Sequence, residues 1–124
     1  RVSALEDTLG LVRGRHTRLV QIPVTTGGRR GYVTIIADTV THRWLVRCEN
    51  LAPNDPDQAY QLWFVTETGV LAAKLMPMDT DEPMIMVLDL PSPGVVRVRG
   101  AAMSIEPRAG STEPTGPVVF RQLL

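Results

Sequence analysis

Residues 59 to 65, AYQLWFV, constrain the fold of this chain more than any other stretch. In an extended strand Tyr60, Leu62 and Phe64 point to one side, and Trp63 and Val65 to the other. A strand with large apolar groups on both sides belongs in the middle of a sheet, with both faces covered. The surrounding sequence supplies such a sheet. From residue 20 onward the apolar residues recur with period two: Val20, Ile22 and Val24, then GYVTIIA at 31 to 37 after the Gly27-Gly28 turn. In residues 42 to 48, Trp44, Val46 and Cys48 share an inward face, with Arg43, Arg47 and Glu49 opposite. Further strands are expected in VLAAKLM after the Thr68-Gly69 turn, in MIMVLDL, in VVRVRG with Val96 and Val98 inward, in AAMSIEP and in PVVFRQLL. This spacing predicts an all-β chain, an antiparallel β-sandwich of about eight strands. Trp44, Tyr60, Leu62, Phe64 and Ile105 are expected in or at the edge of its core.

Only the start of the chain reads differently. Val2, Leu5, Leu9 and Val12 form one helical stripe, and Ser3 with Glu6 has capping-box spacing. A short helix is therefore expected over 1 to 13, ended by Gly14. The stripe suits a helix packed on its own domain and the end of a longer upstream helix equally well. The chain divides into a helix and linker at 1–17 and the sandwich at 18–124. It starts at Arg1 rather than Met and reads as a piece of a longer protein.

Composition excludes several functions. With 13 basic and 13 acidic side chains the formal net charge is +0. Nucleic-acid binding would need a basic surplus to displace counterions, so it is not expected. The single cysteine, Cys48, rules out an intrachain disulfide.

No catalytic or cofactor constellation emerges. His16 and His42 have no ligand-like neighbours at metal spacing, and Ser3, Ser92, Ser104 and Ser111 lie in no nucleophile-elbow context. TTGGRRG lacks the Lys-Ser/Thr and the helix of a phosphate loop, so Arg29 and Arg30 are read as turn decoration. Asp79, Asp81 and Glu82 lack the spacing of a calcium loop and read as a solvated hairpin tip. Met76 and Met78, like Met84 and Met86, lie two apart on strands expected to pair across that tip. Thioethers on one face suit Cu(I), but methionine is also a flexible core filler, and no cysteine or histidine completes the set. Arg43 and Arg47, like Arg97 and Arg99, are expected to form charged outer faces that keep the sheets soluble. The reading is a non-enzyme with no cofactor, no metal and no catalytic residue.

Two motifs carry a resemblance. Tyr60, Gln61, Leu62 and Trp63, followed by a Gly turn, form the first. Glu106, Pro107, Gly110, Ser111, Pro114, Thr115 and Gly116 form the second. In this order they resemble the extracytoplasmic C-terminal domain of the anti-sigma-K factor family, over roughly residues 18 to 122. Ser104-Ile105, Arg108-Ala109 and Ala72-Ala73 depart from the family's usual residues. The resemblance implies the outer, regulatory domain of a single-pass cell-membrane protein. A cytoplasmic segment outside this sequence would hold a sigma factor, a regulatory protease would release it, and a homodimer is a further option. On this view residues 1–17 are juxtamembrane, the strand at 59 to 65 is core, and the C-terminal loop is a clasp ordering the last edge. The alternative reading is an extracytoplasmic sandwich that binds a small ligand or metal through a Met-rich hairpin.

Overall fold

The structure, a computed structural model, describes residues 16–124. The helix expected over 1 to 13 therefore lies outside the described residues. Eight strands follow: β1 (Thr17–Thr26), β2 (Arg29–Asp38), β3 (Arg43–Glu49), β4 (Gln58–Thr66), β5 (Val70–Met76), β6 (Met84–Asp89), β7 (Val98–Pro107) and β8 (Val118–Leu123). They form two four-stranded antiparallel sheets, β1-β2-β3-β6 and β5-β4-β7-β8. This is the antiparallel sandwich that the period-two pattern predicts.

The local chemistry sets the registers. Thr26 pairs with Arg29, leaving a two-residue loop in which Gly27 and Gly28 both have positive φ, 55° and 76°. That is the primed turn whose twist matches a β-hairpin, and glycine enters it without a Cβ penalty. Inward residues then alternate: Ile22 and Val24 on β1, Val33, Ile35 and Ala37 on β2, and Trp44, Val46 and Cys48 on β3 are all buried. From the other sheet, Tyr60, Leu62, Phe64, Ala101, Met103 and Phe120 meet them in one core cluster. Trp44 and Phe64 join the two sheets directly, their ring centroids 5.2 Å apart and their planes at 75°. Edge-to-face pairs of this kind add about 1 kcal/mol beyond the area they bury. Cys48 is fully buried, and loss of hydration pushes its thiol pKa up to about 12.

Three expectations need correction. VVRVRG and AAMSIEP do not contain separate strands; the single strand β7 runs from Val98 to Pro107, and a turn at residues 93 to 95 precedes it, with 96 and 97 irregular. Val96 is therefore only half-buried at a strand entrance. Second, β5 and β6 do not pair, because β5 is the edge of one sheet and β6 the edge of the other. The acidic segment between them crosses from sheet to sheet, so the Met-rich hairpin does not exist. Met76 and Met78 are buried in the core, and Met84 and Met86 pack against it from β6. Spacing of two puts each pair of methionines on one face of an extended chain, but it carries no information about which strand lies beside which. Third, the outer face of the first sheet is not simply charged: Leu19, Ile36, Leu45 and Val87 align across it beside the rung of Asp38, Arg43 and Asp89.

β4 lies between β5 and β7, and every residue from Ala59 to Val65 is buried. Its inward residues fill the sandwich. On its outward side Trp63 and Val65 form a second small apolar cluster with Ala102 and Val70. Something must cover that outer face, and it is the segment between β7 and β8.

Candidate functional site: a carboxylate-anchored clasp on the second sheet

β7 ends at Pro107, which has no amide hydrogen to give the ladder. The chain then tightens into a turn, with the Gly110 amide donating to the Pro107 carbonyl at 2.7 Å and Gly110 at φ 88°. From there it returns over the outer face of the second sheet before entering β8.

Glu106 holds this return. It alternates onto the outer side of β7, yet only 1% of it is exposed. Its carboxylate accepts from Ser104 Oγ (2.6 Å), Ser111 Oγ (2.8 Å), Thr115 Oγ1 (2.6 Å), the Thr115 amide (3.0 and 3.1 Å) and the Gly116 amide (3.2 Å). Every one of these donors is neutral. Burial by itself would push the carboxyl pKa up, but the hydrogen bonds from Ser104, Thr115, Ser111 and the Gly116 amide outweigh it and hold the pKa at about 2.

Two side chains of β4 complete the clasp. Gln61 binds the backbone of Ser111 on both sides, donating from Nε2 to its carbonyl at 2.9 Å and accepting its amide at 3.0 Å. Trp63 donates its indole Nε1–H to Ser104 Oγ at 2.9 Å, and that hydroxyl in turn donates to Glu106. A continuous relay therefore runs from β4 through β7 into the loop. Gly116 passes so close to β7 that a Cβ would collide with the Ile105 carbonyl oxygen. Beside it, the Ile105 amide donates to the Pro117 carbonyl at 3.0 Å. Pro114, with Val118 and Arg121, lines a small space of about 150 Å³ over Trp63. Arg108 ties the loop to the sheet-crossing segment through Asp79 Oδ1 at 2.7 Å and to β4 through the Gln58 carbonyl at 3.0 Å.

The motif residues divide by strand face. Gln61, Trp63, Glu106, Gly110, Ser111, Pro114, Thr115 and Gly116 gather on the outer side of the second sheet, and Pro107 ends β7. Tyr60 and Leu62 point the other way, into the core. The Tyr60 hydroxyl donates to the Ala52 carbonyl at 2.6 Å, while the Ala52 amide donates to Thr26 Oγ1 at 2.8 Å. This pins the loop between β3 and β4 across the end of the sandwich.

Ser104 is the residue the sequence reading passed over. The one available signal was its position two before Glu106, which puts both polar side chains on the face opposite Met103 and Ile105. The remaining candidates lie at the surface. Arg29 pairs with Asp81 at 2.6 Å, Arg43 with Asp89 at 2.9 Å and Arg99 with Glu67 at 3.2 Å. His16 and His42 are exposed at turns, and His42 lies in the left-handed region at φ 57°.

This arrangement fastens a loop. A carboxylate surrounded by donated hydrogens offers no lone pair to a cation, and at a pKa of about 2 it is a poor proton acceptor near neutrality. Among the described residues no group of three or more His, Cys, Asp or Glu side chains is placed to hold a metal ion. Fold and clasp together define a small antiparallel sandwich domain in which Glu106, the one buried charge among the described residues, fastens the loop.

The chain belongs to the family described as the C-terminal region of the anti-sigma-K factor RskA, whose profile matches residues 2–118. Among curated proteins it is similar to an uncharacterized protein in the phr 5′ region of Streptomyces griseus, 30% identical over 95 residues, which is 76% of this chain and 37% of that protein. It is also similar to the anti-sigma-K factor RskA of Mycolicibacterium vanbaalenii, 31% identical over 88 residues, 71% of this chain and 36% of that one. The chain thus spans little more than a third of the length of these relatives. No solved structure matches it. Among the described residues, no helix is long and apolar enough to cross a membrane.

Proposed function

We infer that this domain is the extracytoplasmic regulatory part of a single-pass membrane anti-sigma factor. The family match over residues 2–118 carries this reading, and the short span relative to the relatives supports a division of labour. Sigma-factor binding belongs to a cytoplasmic segment that the present sequence does not include. A span precedes Arg1, and proteolysis outside the membrane starts sigma-factor release. The clasp suits such a role physically. It gives a folded, loop-sealed body that resists proteolysis, so cleavage is confined to less ordered chain nearby.

The test is made on the intact coding sequence and its product. About 20 consecutive apolar residues are expected shortly before Arg1, with basic residues on their N-terminal side. Reporter fusions after Leu124 should register outside the cytoplasm, and a sigma factor should co-purify with the full-length protein but not with residues 1–124. A cleavable leader with no retained span, or a sigma factor captured by residues 1–124 alone, would overturn the proposal.

A further inference from the structure

At the end of the sandwich away from Pro107, β1, β3 and β7 begin and β2 and β6 end. A cleft of about 360 Å³ opens there, lined from both sheets. Trp44, whose ring packs edge-to-face on Phe64, lines its apolar part together with Leu90, Val96 and Val98. One wall is the segment that crosses from β6 to β7, and backbone hydrogen bonds hold it in place. The Leu90 amide donates to the His42 carbonyl at 2.9 Å, and the Val95 and Val96 amides donate to the Ser92 carbonyl at 2.9 and 3.0 Å. The cleft falls within the size range of small-molecule sites.

Two arginines meet this apolar cleft from opposite sheets. Arg18 pairs with Ala37 across β1 and β2, so its side chain leaves from the inner face, in line with Val20, Ile22 and Val24. Arg97 reaches the cleft from the position just before β7. Other arginine charges are matched: Arg29, Arg43, Arg47, Arg99 and Arg108 each have a carboxylate partner. Among the described residues neither Arg18 nor Arg97 has one. Asp38 and the last residue, Leu124, also line the cleft, but neither pairs with these arginines. Asp38 is occupied in its own turn, where its Oδ1 accepts the Val40 and Thr41 amides at 2.8 and 3.1 Å. Two unanswered guanidinium charges beside an apolar surface complement an anion that carries an apolar body.

We propose that this cleft binds a small aliphatic carboxylate, its head held by Arg18 and Arg97 and its chain laid against Trp44, Leu90, Val96 and Val98. The guanidinium fork matches the two oxygens of a carboxylate, and the apolar wall removes the aliphatic chain from water. A cleft of this volume takes one short chain and not the paired long chains of a membrane lipid, so the ligand is a free molecule. Because both sheets line the cleft, a bound ligand bridges them and stabilises the folded sandwich by mass action. The inference rests on the cleft alone and does not depend on the membrane or sigma-factor reading.

Octanoate is the probe, titrated by NMR into the full 124-residue chain. The chain has two tryptophan indole signals, which serve as site and control, because Trp44 lines the cleft and Trp63 lies under the clasp. The Trp44 signal should shift saturably while the Trp63 signal stays in place. Hexanoate, with two fewer methylenes to bury, should bind about tenfold more weakly. Octanol, with the same chain and no charge, should also bind about tenfold more weakly. Arg18→Gln and Arg97→Gln should each lower octanoate affinity about tenfold and leave octanol binding unchanged. Both arginines are exposed, so the variants should fold, and an unaltered Trp63 signal checks that they do. Phosphatidylglycerol vesicles should leave the Trp44 signal unmoved; a shift that requires both arginines would assign the cleft to a membrane lipid and overturn the proposal. No saturable shift at Trp44, equal affinity for octanoate and octanol, or undiminished octanoate binding in either arginine variant would also overturn it. Failure in any of these forms leaves the sigma-factor reading untouched.

Discussion

Gln61 and Ser111, 50 positions apart, exchange two hydrogen bonds, so a side chain takes the place of a neighbouring strand's backbone. β4 already has strand partners on both sides. Its glutamine therefore binds a third segment from above, and a turn-rich loop acquires a fixed position without becoming a strand. Gln61 is 4% exposed, so neither amide atom has water to fall back on. Gln61→Ala should cost about 2 kcal/mol, combining the loss of two bonds with the Ser111 amide and carbonyl left partly unpaired. Denaturant midpoints measure the loss. Hydrogen exchange localises it, with the Ser111 amide speeding up far more than amides of the first sheet.

Glu106 makes stability depend on acid. Its carboxyl pKa is about 2 in the folded chain, against an ordinary value of 4.5. A carboxylate with a depressed folded pKa contributes stability that is fully present above its unfolded pKa and is lost as pH falls through the folded value. The window is therefore from about pH 4.5 down to about pH 2, and the size is about 3 kcal/mol. Glu106→Gln should lower the melting temperature at pH 7 and flatten the stability profile between these limits. An acid limb identical to that of the unaltered chain would show that other carboxylates dominate.

Trp63 separates packing from hydrogen bonding. Its ring lies buried in the outer apolar cluster and lines the small space under Pro114, and its indole N–H reaches Ser104. Trp63→Phe keeps most of the apolar contact and leaves Ser104 free to donate to Glu106, so the cost should stay near 1 kcal/mol. Trp63→Ala should cost about 3 kcal/mol or more, as large truncations in cores do. Tyr60 should follow the same order, Phe milder than Ala, since Phe loses only the bond to the Ala52 carbonyl. Urea titrations of the four variants give the ranking, and equal losses for Phe and Ala at position 63 would contradict it.

These positions also show what the sequence could and could not convey. A strand such as β4 declares itself, because alternation is a local property: Tyr60, Leu62 and Phe64 must share a face wherever the strand lies. Pairing is not local. Nothing in the sequence near Met76 and Met84 distinguishes a hairpin from a crossing between sheets, and the hairpin expectation was wrong. The clasp was legible as a set of motif residues but not as a mechanism. Five donor groups converge on Glu106 from positions 104, 111, 115 and 116, and only the folded loop brings them to one carboxylate. The apolar row of Leu19, Ile36, Leu45 and Val87 was invisible for the same reason, since its members come from four strands.

The methionines can be tested as packing residues. Met76 is 1% exposed within the core, whereas Met84 sits half-buried on the edge strand β6. Met76→Ala should cost about 3 kcal/mol by leaving a cavity, and Met84→Ala distinctly less. Melting curves with chelator and with added Cu(I) should superimpose, because a buried thioether would have to leave the core to reach a metal. A rise of many degrees with Cu(I) would contradict the packing assignment.

Gly116→Ala joins the steric and electrostatic parts of the clasp in one substitution. The new methyl group would collide with the Ile105 carbonyl oxygen, which belongs to β7 and cannot turn aside without breaking the strand pairing. The loop must therefore lift. As it does, the Gly116 amide and both Thr115 donors move away from Glu106. Ser104, which lies on β7 itself, continues to donate. The carboxylate is then left with fewer donors in a site that still withholds water, and its pKa must rise from about 2 toward or above the ordinary value. Two measurements should change together. Stability at pH 7 should fall by about 3 kcal/mol, and the Glu106 carboxyl resonance should titrate at higher pH by NMR. Gly110→Ala gives the comparison. Gly110 has positive φ, and an added methyl would meet the Leu75 side chain at an ordinary 3.5 Å contact. That variant should carry backbone strain of about 1 kcal/mol while leaving the Glu106 titration in place. If Gly116→Ala lowered stability without moving that titration, the loop would not be held through Glu106.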